Sequence, residues 1–296
     1  MTSHRGVVWL LGIVAVLSGC AEPPPADPST WTLPVQAYLP TKDQEATIGK
    51  AEQALVERCV KGFGIEWRAE PELPPIGPTT MLDWRYGIHD ARLSARIGYQ
   101  VDPEQQVRYD AVRRGSTTPP IDTQVVLGGS DIPAEQLAQA SAEARLGTVA
   151  GKPIPDGGCF GEARRALGST THGVAPLVTK IAYDSYLASQ QDPDVVAVFA
   201  AWSTCMHGKG FDYAMPMDAN DDPRFAAGPH GPSRAEIRTA LADIACRDQH
   251  RVAQVWHEAE TRVQTSAIEK DTDAFGAVRR DLDDVVRAAT AALARP

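Results

Sequence analysis

Apolar side chains recur along this 296-residue chain mostly at helical spacing. Val195, Phe199, Trp202 and Met206 fall at i, i+4, i+7 and i+11, one stripe of a helix. Asp192 and Pro193 supply its cap and first turn, and Gly208 and Gly210 its stop. An earlier helix starts at a capping box, Thr41 with Gln44, carries Ile48, Leu55 and Cys59 on one stripe, and stops at Gly62. A second capping box, Ser233 with Glu236, opens a longer pattern. Ile237, Leu241, Ile244, Val252, Val255, Ala259 and Val263 there mark one face of a long helix. After a break near Asp271–Asp273, Phe275, Val278, Leu282, Val285, Ala289 and Ala292 repeat at alternating threes and fours. Two such helices joined by a short turn predict an antiparallel hairpin.

Between these patterns the signal weakens. Pro71–Pro133 holds eight prolines and few periodic runs, so it reads as a loop-rich excursion. Thr123–Gly129 within it predicts one short strand. "IPAEQLAQASAEARLG" predicts a helix stopped by Gly147, and "GVAPLVTKIAYDSYLASQ" another, entered near Gly173. The expected fold class is mainly α: a disulfide-stapled helical body with a loop-rich excursion and a C-terminal antiparallel helical hairpin.

The N-terminal pattern is different in kind. Gly6–Leu17 is an unbroken apolar run of 12 residues behind His4 and Arg5. A spanning helix needs about 20 apolar residues, so the run fits a signal-peptide core instead. It ends in "LSGC", Leu17 to Cys20, the pattern of a lipobox, which makes Cys20 the expected lipidation site. Residues 21–40 carry six prolines and read as a semi-rigid spacer. The expected organisation is a signal peptide over 1–19, a tether over 20–40 and a helical domain over 41–270. That domain has two weakly similar halves, about 41–170 and 171–270, and a C-terminal helix over 271–296 packs on the preceding long helix.

Cysteine usage fits an oxidising compartment: beside Cys20 the chain has Cys59, Cys159, Cys205 and Cys246. Four cysteines allow three pairings. "ALVERCVKGFGIEW" and "AWSTCMHGKGFDYAMP" each show a helix, a cysteine, a glycine stop, then Phe and a further aromatic. Each is followed by a second cysteine, Cys159 and Cys246. If the two halves are related, the pairs are Cys59–Cys159 and Cys205–Cys246. Cys205 is then a staple, Met206 part of the core stripe, and His207 a cap on the last turn.

The lipobox-like start, the two cysteine-bearing helix ends, "RYG" at Arg85–Gly87 and "IGY" at Ile97–Tyr99 resemble a family of secreted actinobacterial lipoproteins. The resemblance covers most of Thr41–Thr265. It implies secretion, a helical body and structural disulfides, and it carries no activity.

The formal net charge of −9, with no Lys/Arg cluster in the sequence, argues against nucleic acid and against electrostatic docking on anionic lipid. No nucleophile elbow, S-x-x-K or H-E-x-x-H motif occurs, and no cofactor is expected. His250 and His257 lie about 10.5 Å apart along one helix face, too far to share an ion. Asp218, Asn220 and Asp222 start like a calcium loop, but Pro223 stands where that loop needs Gly, and Pro229 where it needs Glu. Trp67, Trp84, Tyr86, Tyr99 and Tyr109 are candidates for a ligand-stacking platform, or else for a small core that orders the excursion. The expected role is non-catalytic binding or scaffolding at the envelope, with membrane contact through lipid on Cys20 and an envelope protein or wall glycan as partner. The alternative is an envelope hydrolase with an unrecognised acidic site.

Overall fold

A computed structural model describes residues 27–226 and 231–295. The signal-like run and Cys20 lie outside them. In chain order, α1 spans Lys42–Gly62, α2 Ala91–Ile97, α3 Pro103–Gly115, α4 Ile121–Gly128, α5 Ala134–Leu137 and α6 Ala142–Arg145. Two residues each, β1 (Thr148–Val149) and β2 (Lys152–Pro153), pair antiparallel. Then come α7 (Gly158–Leu167), α8 (Pro176–Ser189), α9 (Pro193–Gly208), α10 (Pro216–Asn220), α11 (Arg234–Gln249), α12 (Val252–Lys270) and α13 (Thr272–Leu293). The protein is mainly helical. No helix among the described residues is long and apolar enough to cross a membrane.

Local signals act where they stand. The Thr41 hydroxyl accepts from the Gln44 amide while the Gln44 side chain accepts from the Thr41 amide, and Ser233 and Glu236 repeat the exchange on α11. Asp192 caps α9, and its stripe of Val195, Phe199, Trp202 and Met206 is wholly buried. These four join Val178, Val252, Trp256, Ala259, Phe275 and Val278 in the main core. α12 and α13 pack closely across the junction at Asp271. The distal part of the α13 stripe, Val285, Ala289 and Ala292, packs on Ile48 and Ala51 of α1 and Leu167 of α7. α1 and α13 lie side by side in the same direction, so that Arg58 donates to the carbonyls of Ala292 and Arg295 at the end of α13.

Two disulfides join Cys59 to Cys159 and Cys205 to Cys246. The loops they close span 100 and 41 residues. By loop entropy such closures stabilise by about 4–5 and about 4 kcal/mol. The second cysteines sit differently: Cys159 in the first turn of α7, Cys246 in the last turn of α11.

Several elements depart from the pattern reading. Residues 27–40 are docked, not a tether: Leu33 and Val35 are buried, the Val35 amide donates to Gln264, and Tyr38 packs on Phe275. Proline there starts short 3₁₀ turns instead of an extended spacer. The expected strand is helical instead: Thr123–Gly128 lies in α4, with Gly129 as its cap, and Thr123, Val125, Val126 and Leu127 are buried around the helix. A short apolar run does not by itself separate strand from helix, and packing on α7 decides. The helix expected before Gly147 is two single turns, α5 and α6, split where the Ser141 hydroxyl caps the second. The long helix from Ser233 breaks at Arg251, which is left-handed at φ 54°. α11 is fastened to α9 through Cys205–Cys246, and the break lets α12 turn Val252 and Trp256 into the same core. On α1 the buried face is Ile48, Ala51, Val56 and Val60, with Leu55 at its edge.

The excursion is tied down by "RYG" and "IGY". Arg247 of α11 donates through Nη1 to the Tyr86 carbonyl at 2.5 Å. Gly87, at φ 99°, lies so close that an added Cβ would stand 2.3 Å from that guanidinium. Gly98, at φ 61°, meets the Glu236 carboxylate in the same way, and the Tyr99 amide donates to that carboxylate at 3.1 Å. Gly87→Ala combines left-handed strain with overpacking and is expected to lose about 3 kcal/mol. Gly49→Ala, inside α1 with open space around it, is expected to gain about 0.5–1 kcal/mol. Urea unfolding of both variants checks the pair. Equal effects would mean that Gly87 is not held against Arg247.

Candidate functional site

α1 ends at Gly62, and the chain then runs through Trp67 to Leu73 before entering the excursion. Cys59–Cys159 anchors the start of α7 to the last turns of α1, which sets Phe160 edge-on to Trp67, with centroids 6.5 Å apart at 90°. Val126 and Leu127 of α4 pack with Cys159 and Ala163 of α7 beneath them. These pieces border an open cleft of about 740 Å³, walled by Trp67, Leu73, Leu127, Ile132 and Phe160. Its polar lining is mostly uncharged: the Ser116–Thr118 linker and Gln124, with exposed Glu70 and Arg113 at the rim. The volume suits a drug-sized or single-chain ligand, and such sites are typically apolar with a few fixed polar groups.

On the other side of Trp67 a cavity of about 490 Å³ collects Arg58, Lys61, Arg68 and Arg295, together with Glu57 and Glu66. The sequence reading found no basic cluster because these cations are spread along α1, the following segment and the far end of the chain. Packing α13 beside α1 brings them together.

A third cavity, about 260 Å³, is lined by Trp84, His89, Asp27, Asp83, Asp90 and Asp102. Its carboxylates are engaged in shaping the chain. Asp27 accepts from Ser29, Asp90 caps α2 and Asp102 caps α3. Asp83 accepts from the Thr79 amide and lies 2.9 Å from His89 Nε2. Burial pushes the Asp83 carboxyl up, but the Thr79 amide and His89 outweigh it and hold the group below its usual range.

The five aromatics do not assemble into a platform. Trp67 walls the cleft, Trp84 the aspartate-lined cavity, and Tyr109 lies on α3. Tyr86 is buried against Trp256, and Tyr99 stacks on Phe225 with its hydroxyl on Asp243. Hydrogen-bonding hydroxyls draw these two tyrosines into the core. The calcium-like residues are likewise used locally. Asp218 takes the Met215 amide, Asn220 donates to Asp221, and Asp222 accepts from Arg224 and Tyr213. The Arg224 guanidinium holds the Asp222 carboxyl well below the usual range. No group of three or more His, Cys, Asp or Glu among the described residues is placed to hold a metal ion. Met206 is buried in the core, and His257 contacts Trp31 and the Thr32 carbonyl.

Apolar periodicity gave no sign of the buried polar groups. Glu260, fully buried, accepts from Arg85 Nε at 2.9 Å, the Tyr86 hydroxyl at 2.9 Å, Ser185 at 2.9 Å and Gln264 at 3.0 Å. Asp243, also fully buried, accepts from Arg247 at 2.6 Å, Trp202 at 2.9 Å and Tyr99 at 3.1 Å. A buried carboxylate at a perturbed site is a functional signal in general. Here every partner is internal, so the networks order the fold. The buried face of α11 is itself largely polar, Glu236, Thr239, Asp243 and Arg247 beside Ala240, Ile244 and Cys246, so an apolar pattern did not mark it. In comparisons with family models, curated proteins and solved structures, nothing matches this chain.

Burial, then the negative charge of Glu260, pushes the Tyr86 phenol far above its ordinary value; burial and Asp243 do the same for Tyr99. The folded protein therefore keeps protons that the unfolded chain releases above about pH 10. Stability from this source is complete below that pH and falls as pH rises toward the folded values, by about 1.4 kcal/mol per pH unit for each tyrosine. Tyr86→Phe is expected to lessen the stability lost between about pH 9.5 and 11.5 by about 2 kcal/mol in urea titrations, the slope reaching its full value only well above pH 10. An unchanged slope would contradict the buried placement of the phenol.

Proposed function

We propose that this chain is a non-catalytic binding protein of the cell envelope, held on the extracytoplasmic face of the membrane through lipid on Cys20. Its ligand occupies the cleft between Trp67 and Phe160. One observation carries the reading. The cleft of about 740 Å³ has aromatic and aliphatic walls, hydroxyls and one amide, with Glu70 and Arg113 at its rim, and among the described residues no histidine, cysteine or aspartate lines it. Apolar walls with a few polar groups are the usual make-up of a small-molecule site, and the absence of a nucleophile–base pair at this one favours binding. The lipobox-like Leu17–Cys20 and the oxidised cysteines support the compartment. On the same residues we propose kinship with the secreted actinobacterial lipoproteins.

Nile red, a neutral dye that brightens in apolar surroundings, tests the cleft on the purified full chain. Binding is expected to be saturable, and Thr118→Trp, an exposed linker position, should weaken it by about tenfold or more by filling the space. Unchanged binding by the variant would remove the cleft from the account. Metabolic labelling with an alkyne fatty acid in a bacterium with lipoprotein processing should mark the chain, and Cys20→Ala should lose the label. Equal labelling of the variant, or none of the parent chain, would remove the lipid on Cys20.

A further inference from the structure

The cleft and the cationic cavity share one side chain. Trp67 walls both the apolar space of about 740 Å³ and the cavity of about 490 Å³ that holds Arg58, Lys61 and Arg68. We propose, resting on the cleft reading above, that the ligand is an anionic amphiphile. Its aliphatic body lies between Trp67, Leu127, Ile132 and Phe160, and its carboxylate or phosphate head lies past the indole on Lys61 and Arg68.

Charge complementarity selects the head. The whole chain has a formal net charge of −9, yet this cavity collects four cations against two carboxylates. Glu57 is engaged by the Ala69 amide at 3.2 Å, and Glu66 is exposed. Arg58 donates to two main-chain carbonyls at the end of α13, which position its guanidinium and leave its charge uncancelled by a carboxylate. Among the described residues no carboxylate pairs with Arg58, Lys61 or Arg68. Lys61 and Arg68 are exposed and free to turn toward an anion.

The apolar walls select the body. An aliphatic chain makes no hydrogen bonds and suits a cleft whose apolar walls include Leu127, Ile132 and Phe160. A peptide segment would bring backbone amides that those walls leave unpaired, at a cost of about 1–3 kcal/mol for each buried group. The indole of Trp67, with an apolar face and a position between the two cavities, suits the junction of chain and head.

Fluorescence titration of the full chain with cis-parinaric acid and with its methyl ester separates the two parts. The acid is expected to bind about tenfold more tightly than the ester at low ionic strength, with the margin shrinking in salt. Lys61→Glu with Arg68→Glu should abolish the margin by weakening the acid; both positions are exposed, and circular dichroism checks the fold. Equal affinity of acid and ester, or a margin that survives the double substitution, overturns the anionic head while the cleft reading stands. Absence of binding by either probe overturns both.

Discussion

The pair Arg247–Asp243 is the interaction around which much of the molecule is arranged. Both side chains are almost wholly buried, and removing two charges from water is costly unless every remaining donor and acceptor is satisfied. The partners come from distant parts of the chain. Asp243 takes Trp202 of α9 and Tyr99 after α2; Arg247 gives its remaining donors to the carbonyls of Tyr86 and Pro216. The residue before Arg247 is Cys246, bound to Cys205 of α9. One turn of α11 thus carries a covalent and an ionic fastening to the same neighbourhood. A parallel arrangement on α12 has Glu260 gathering Arg85, Tyr86, Ser185 and Gln264, and Gln264 in turn receives the Val35 amide.

What was legible in the sequence follows from this division of labour. Segments ordered by apolar stripes and caps, α9 and α13 above all, can be read because their burial pattern is local. The cysteine pairing was reachable because two helix ends share a cysteine, a glycine stop and a phenylalanine. The excursion was opaque for a physical reason. It is ordered by hydrogen bonds from Arg85, Tyr86 and Tyr99 to charges on helices about 140–175 residues away. Period-based reading has no access to such contacts. The proline-rich start misled for a related reason: its composition suits a spacer, but Leu33, Val35 and Tyr38 give it enough apolar contact with α12 and α13 to dock. Arg251 shows the limit of periodicity itself, since a one-residue left-handed break keeps apolar residues in phase with a single helix while redirecting the chain.

The candidate site lies on the other fastening. Cys59–Cys159 joins α1 to α7 and thereby fixes Phe160 opposite Trp67, and α4 forms the floor through Leu127. Of the aromatics singled out from the sequence, Trp67 alone walls this cleft; its other walls come from residues that carry no motif. The cationic side was hidden because Arg58, Lys61 and Arg68 are interspersed with Glu57 and Glu66 along the chain, and Arg295 joins them only once α13 packs beside α1. A scaffold held by buried charges and disulfides leaves such surface concavities free to be shaped by loop residues, which is the usual division between rigid frame and binding surface.

The most direct test of this account is a double-mutant cycle on the central pair, measured by urea unfolding of the oxidised protein. Arg247→Met leaves Asp243 buried without its cation and is expected to lose about 3–5 kcal/mol. Arg247→Met with Asp243→Leu should lose at least about 2 kcal/mol less than the two single losses combined. Single losses below about 1 kcal/mol that simply add would contradict the claim that this pair organises the fold.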